Sequence, residues 1–331
     1  ALIGQYQSNG SAGTVKDCMV KNVEFNNVFD VNVSVGPITG GSRGGTDGML
    51  APTGVTASNN NIYMSTITGS NNLFLMNPVA KIGTTEYYTL FDAVAAVQDG
   101  ETKITMLRNT AEEFAINNTT ANITLDMAGF TLTGAITPSK ANLTINGNGG
   151  KIINNNSNVS AIEINEGSLN LSNVNIESKR HGVRIDGAVT ATINGGEYTL
   201  NATSGTRHAV NVSGAADVTI KAGTFVGPKG TTADSGAAIN VKAGSNVTIE
   251  GGNYSGGKNN TLASAGTLVV TGGTFDQDPS AYVTTPYVVI KKSDNEYNVI
   301  KGVAKIGETY YATLQEAIDE ANASDVIVLL K

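Results

Sequence analysis

Between residues 160 and 275 apolar and polar positions alternate in short runs that come in pairs. The first run of each pair reads Ala161-Ile162-Glu163-Ile164, Gly182-Val183-Arg184-Ile185, Ala209-Val210-Asn211-Val212 and Ala238-Ile239-Asn240-Val241. The second reads Thr190-Ala191-Thr192-Ile193, Asp217-Val218-Thr219-Ile220, Asn246-Val247-Thr248-Ile249 and Leu268-Val269-Val270. A period of two marks a strand with one buried face. Each second run leads into a tetrad of small residue, Gly, polar residue and aromatic. The tetrads are Gly195-Gly196-Glu197-Tyr198, Ala222-Gly223-Thr224-Phe225, Gly251-Gly252-Asn253-Tyr254 and Gly272-Gly273-Thr274-Phe275, and their second residues lie 27, 29 and 21 positions apart. Self-similarity at this period, written only in strands and turns, predicts a β-solenoid. The paired aliphatics Ile162/Ile164, Val183/Ile185, Val210/Val212 and Ile239/Val241 then point inward. Each stacks on its counterpart in the next coil at about 4.8 Å. The tetrad glycine permits a corner that a Cβ would crowd, and the aromatic after it opens a third face. Long inserts such as 226–235 gather at one corner.

The pattern changes on either side of these coils. Leu90, Ala93, Val94 and Val97 fall at i, i+3, i+4 and i+7, which predicts a short helix over about 90–98, ended by Asp99-Gly100. Such a helix covers the unpaired backbone at the front of a stack. At the far end, two strand-like runs flank Ser293-Asp294-Asn295 and predict a hairpin over about 286–300 that protects the last edge. The segment Val79-Ala80-Lys81-Ile82-Gly83 returns as Val303-Ala304-Lys305-Ile306-Gly307. Over 79–93 against 303–317, ten of fifteen positions are identical. Both copies open a module. The expected organisation is therefore a Gly/Asn-rich β segment at 1–78 that ends an upstream β-solenoid, a module at 79–302, and the start of a second, truncated module at 303–331.

The run Ile123-Thr124-Leu125-Asp126-Met127-Ala128-Gly129-Phe130-Thr131-Leu132-Thr133-Gly134 resembles the opening coil of pectate-lyase-like parallel β-helix modules. The Tyr87-x-Thr89-Leu90-x-x-Ala93 segment and the run from Gly272 to Val283 resemble the start and end of the same module. Modules of this kind occur in large repetitive, adhesin-like surface proteins of bacteria. The resemblance covers 79 to about 299. It implies an all-β fold, a right-handed parallel β-helix (solenoid) with a short N-terminal capping helix and a C-terminal hairpin. It also implies an extracellular, cell-surface setting. For activity it implies little, because the fold hosts lyases, hydrolases and inert spacers.

Composition narrows the partners. Charged residues make up 15% and the net charge is −7, so no nucleic-acid binding is expected. Trp is absent and aromatics are 6%, which weighs against a sugar-stacking cleft. Cys18 is the one cysteine, so no intrachain disulfide can form. No run of 18 apolar residues exists, so no membrane insertion is expected within this segment. The Gly-rich loop at 40–45 lacks the Gly-Lys-Ser/Thr ending of a phosphate cradle. Asn-x-Ser/Thr triplets at Asn32, Asn117, Asn118 and Asn201 would accept glycans only in a eukaryotic secretory protein.

The family's lyases set several carboxylates around calcium, with a basic residue as proton acceptor. Here Glu163, Glu166, Glu177, Asp186, Glu197, Asp217, Asp234 and Glu250 do not recur at one register, and Asp276 with Asp278 reads as a turn. His181-Gly182 with Arg184-Ile185-Asp186 resembles fragments of polygalacturonases, but the paired aspartates are missing and no Lys follows. Aligning the coils sets Arg180-His181 on Arg207-His208, with Arg184 facing Glu163 before it and Asn211 after it. Arg180, His181, Arg184, Arg207 and His208 are thus the candidate ligand residues, a basic patch suited to an anion or acidic glycan. The plain alternative is a set of outward side chains on a solvated face, with Glu163–Arg184 a weak cross-strand pair.

The expected function is a non-catalytic structural or adhesive segment of a bacterial surface protein. Its expected partners are host or microbial glycans, surface proteins and adjacent modules of the same polypeptide. No cofactor, metal or catalytic residue is expected. The alternative is a lyase or hydrolase acting on acidic polysaccharide, whose mark is a groove lined by two carboxylates and a basic residue. Ice binding would want a regular Thr-x-Thr array, and along the sequence such pairs are scattered.

Overall fold

The structure, a computed structural model, describes residues 78–330 apart from 203–205, 229–235 and 258–259. The expectations for 1–77, including Cys18 and the Gly-rich loop, lie outside the described residues.

Strands stack in parallel on three faces and form a parallel β-solenoid of about 7 turns. On the first face Ile162 pairs with Val183, which pairs in turn with Val210, Ile239 and Leu262. On the second the column runs Ile104, Leu125, Ile145, Leu171, Ile193, Ile220, Ile249 and Val270. On the third it runs Leu132, Ile152, Ile176, Tyr198, Phe225, Tyr254 and Phe275. All of these side chains are buried. Alternation puts the aliphatic residues of the first two faces inside, and in-register pairing turns each column into a continuous apolar row. Burial of such a side chain contributes about 1.5–3 kcal/mol.

The aromatic of each tetrad belongs to this core. Tyr198, Phe225, Tyr254 and Phe275 form a stack with ring centroids 4.7, 5.0 and 4.8 Å apart and interplanar angles of 14°, 7° and 9°. The strand spacing sets the ring spacing, so one backbone repeat serves both hydrogen bonds and ring contacts. The two buried phenols are satisfied locally, Tyr198 Oη donating to Gly195 O at 3.0 Å and Tyr254 Oη to Gly251 O at 2.7 Å. The corner itself demands glycine. Gly196 has φ +100°, and a Cβ there would lie 2.1 Å from the Val174 carbonyl oxygen of the preceding coil.

At the front, Ala80–Ile82 pairs antiparallel with both Thr85–Tyr87 and Gly100–Met106. The helix covers Leu90–Ala95, shorter than the expected 90–98, with Ala96 as C-cap and Val97 already bonded in an i→i−3 turn. Its N-terminus is held from two directions. Thr89 Oγ1 accepts from Asp92 N at 2.9 Å, and the Glu112 carboxylate accepts from Leu90 N at 3.0 Å and Phe91 N at 3.1 Å. At the rear, Tyr287–Ser293 and Glu296–Lys301 form an antiparallel hairpin whose second strand pairs with Gly273–Phe275. The repeated opening sequence repeats its fold, since Ala304 pairs with Tyr311 and Leu329 as Ala80 pairs with Tyr87 and Met106. In the second copy the acid that caps the helix is its own Glu316, in a capping box with Thr313.

Candidate functional site: the arginine–histidine corner

The corner that leads into the first face begins with an inward polar column. Asn154 and Ser178 are in register at the ends of adjacent third-face strands, and both are buried. Asn154 Nδ2 donates to Val159 O and to Ser178 Oγ, and Ser178 Oγ donates to His181 O. Arg180 N donates back to Ser178 Oγ, which closes the turn that presents Arg180 and His181. The corner backbone leaves the strand ladder here, so its polar groups need these side-chain partners.

The structure brings together all five residues singled out from the sequence but gives them different surroundings. His181 and His208 are 8% and 3% exposed, and their rings lie parallel, 1° apart in tilt, with centroids 5.4 Å apart. They do not stand on the solvated face. His181 Nδ1 accepts from His208 N at 3.1 Å, and His208 Nδ1 accepts from Ala237 N at 3.0 Å. Each ring therefore fastens its own coil to the backbone of the next, across a corner where strand pairing is interrupted. Protonating Nδ1 would sacrifice that bond. Burial lowers the His181 pKa to about 3, with the charges of His208, Arg180, Arg207 and Arg184 acting the same way. Burial likewise lowers that of His208 to about 4, aided by Lys242 and Arg207. Both imidazoles are neutral over the physiological range.

Arg184 lies on the first-face strand, half-buried, where it bridges Glu163 at 3.2 Å and Asp186 at 2.6 Å. The register is the aligned one, Glu163 before it and Asn211 after. Arg180 and Arg207 are half-buried at the corner. Partial burial and the neighbouring charges of Arg207 and Arg184 lower the Arg180 pKa, with Glu163 opposing, which places the three guanidinium groups within one another's field. The histidines and Arg184 are thus engaged within the fold, while Arg180 and Arg207 stand partly exposed at the corner.

Two of the carboxylates weighed from the sequence, Asp276 and Asp278, are engaged locally. Asp276 accepts from Gly256 N at 2.7 Å and from the Thr261 hydroxyl, tying the last coil to the one before. Asp278 accepts from Ser280 N at 2.9 Å, as a turn residue does. Among the described residues no group of three or more His, Cys, Asp and Glu side chains could hold a metal ion, and no helix is long and apolar enough to cross a membrane. The Asn154–Ser178 column escapes a sequence reading. Its only signal is a polar residue at an inward position of two successive coils. No family model, no curated protein and no solved structure matches this chain.

Proposed function

We propose that the chain is a non-catalytic structural segment of a bacterial cell-surface protein, a right-handed parallel β-helix that acts as a stiff spacer and displays its outer faces. What supports this reading is the use made of the side chains best suited to chemistry. Both histidines accept backbone N–H groups from the next coil. Glu112 caps the front helix, Asp276 clamps the last coils, and Arg184 spans two carboxylates. General acid–base work needs a group with an open position toward a reacting atom, whereas the Nδ1 atoms of both histidines and the carboxylates of Glu112 and Asp276 accept from the protein's own backbone. The test is incubation with polygalacturonate and related acidic polymers, with and without calcium. The polymer lengths are expected to stay unchanged. Release of unsaturated or reducing ends, lost on Arg184→Ala in a variant that still folds, would establish a lyase or hydrolase instead.

A further inference from the structure

The second face carries a surface that the sequence order conceals. Outward positions of six successive strands align through the pairing of Asn117–Asp126, Thr131–Asn146, Ile162–Ser172, Thr190–Leu200, Asp217–Val226 and Asn246–Ile249. One row reads Thr124, Thr144, Asn170, Thr192, Thr219 and Thr248. The row beside it runs from Asn122 to Asn246 and holds only Asn, Ser and Thr apart from Asp217. At about 4.8 Å per strand these rows extend about 24 Å. The threonines scattered along the chain are therefore neighbours in space.

Three properties separate this face from the others. Between Thr124 and Thr248 its two rows hold one charge, Asp217, with the Lys103–Asp126 ion pair at the front end, whereas the first face carries Glu163, Arg184 and Asp186 and the third carries Lys151 and Glu177 in an ion pair. Its threonines are half-buried, with no hydrogen bond engaging the hydroxyls of Thr144, Thr192, Thr219 and Thr248 among the described residues. The neighbouring amides are ordered by lateral bonds, Ser168 Oγ to Asn142 at 3.2 Å, Asn194 Nδ2 to Asn170 at 2.8 Å and Asn246 Nδ2 to Asp217 at 2.7 Å. At its front end the face dips into an open groove of about 470 Å³, lined by Asn122, Thr124, Asn142, Thr144 and Ser168 together with Glu101 and Lys103.

We propose that this face binds a linear neutral polysaccharide lying along the solenoid axis. A sugar hydroxyl both donates and accepts, and so do threonine hydroxyls and asparagine amides, so an uncharged polyhydroxyl chain matches the rows, whose one carboxylate, Asp217, already accepts from Asn246. The threonine methyl groups give the sugar C–H surface an apolar contact in place of aromatic rings. Each repeat contributes weakly, and repetition along one polymer supplies the avidity. An ice lattice is a poorer occupant, because it would need a flat, uniform array, and the groove and the mixed neighbouring row break both conditions. The biological use of this binding rests on the display role proposed above, but the binding itself does not.

The experiment is a pull-down of the full chain on cellulose fibres and on an insoluble neutral β-1,3-glucan. A polygalacturonate resin and a freezing-hysteresis measurement run beside it. Variants are Thr144→Val/Thr192→Val/Thr219→Val, which keeps β-branched side chains and hence the strands, and Arg180→Ala/Arg207→Ala. Retention of the wild type on a neutral polymer, insensitive to salt and reduced about tenfold or more in the threonine variant, is the expected result. The threonine variant must melt as the wild type does. A second variant, Thr192→Ser, keeps the hydroxyl and is expected to keep retention. Absence of retention on both neutral polymers, equal retention of the threonine variant, or hysteresis without glycan retention overturns the proposal. So does retention confined to polygalacturonate and lost in the arginine variant. The polymers recovered from the pull-down report chain length, so a cleaved polymer overturns the non-catalytic reading separately from the binding.

Discussion

At the residue scale the decisive groups are His181 and His208. Their folded pKa values lie below the ordinary value of about 6.5. On acidification the unfolded chain takes up protons first, so the contribution of the pair is complete above pH 6.5 and is lost as pH falls toward 4. The expected slope is about 1.4 kcal/mol per pH unit for each imidazole in that window. Urea midpoints measured between pH 7.5 and 4.5 check it. His181→Asn/His208→Asn keeps a side-chain acceptor and removes the titration, so its midpoint should fall less steeply over the same range. The pairing of these histidines is legible from the sequence, because repeat alignment sets Arg180-His181 over Arg207-His208. Their burial is not. Alternation tells inside from outside along a strand, and at a corner the side-chain direction depends on the turn, which hydrophobic periodicity does not encode.

At the scale of elements, the aromatic stack and the front helix show how one coil depends on the next. Phe225 touches a ring on each side, whereas Phe275 touches one. Phe225→Ala should therefore cost about 3–5 kcal/mol. Phe275→Ala should cost less, and the difference would appear in denaturant midpoints. The helix depends on Glu112, a residue of the strand Thr110–Phe114. Glu112→Ala removes charged acceptors from two helix N–H groups, and a loss of about 1–3 kcal/mol is expected, read as faster amide exchange in 90–95. The tetrads revealed the corners, since their spacing is regular and glycine is needed where φ is positive. They did not reveal the ring stack, because a lone aromatic every coil looks the same whether it faces inward or outward. The Glu112 cap was also hidden. The second copy carries its capping acid three residues into the helix, at Glu316, where a local pattern can find it. The first copy takes it from another strand.

For the whole molecule, stability is a sum of coil and nearest-neighbour terms. Removing the 27 residues from Gly182 to His208 joins His181 to Ala209 in register. The shortened chain is expected to fold, with His181 taking the place of His208 beside Ala237 and Ile176 stacking on Phe225. It should retain a β spectrum and a cooperative melt. Removing the 21 residues 171–191 instead joins Asn170 to Thr192, one position out of register inside a second-face strand, and should abolish both. A folded out-of-phase deletion would show that the coils are not equivalent units.

By itself the sequence determined that the chain is a solenoid of strands, which aliphatic side chains line its first two faces and where it turns. These follow from period-two alternation, from the spacing of glycine corners and from a repeated opening segment, all local properties of the chain. Repeat alignment already set Arg184 between Glu163 and Asn211, but only the tertiary structure decided which outward residues meet along the second face. Stacking joins positions 20 to 30 residues apart, so it converts isolated Thr and Asn residues into two continuous rows. It also draws the histidines from an expected surface into the core. Contacts of that kind depend on the register between coils, and register is a property of the stack.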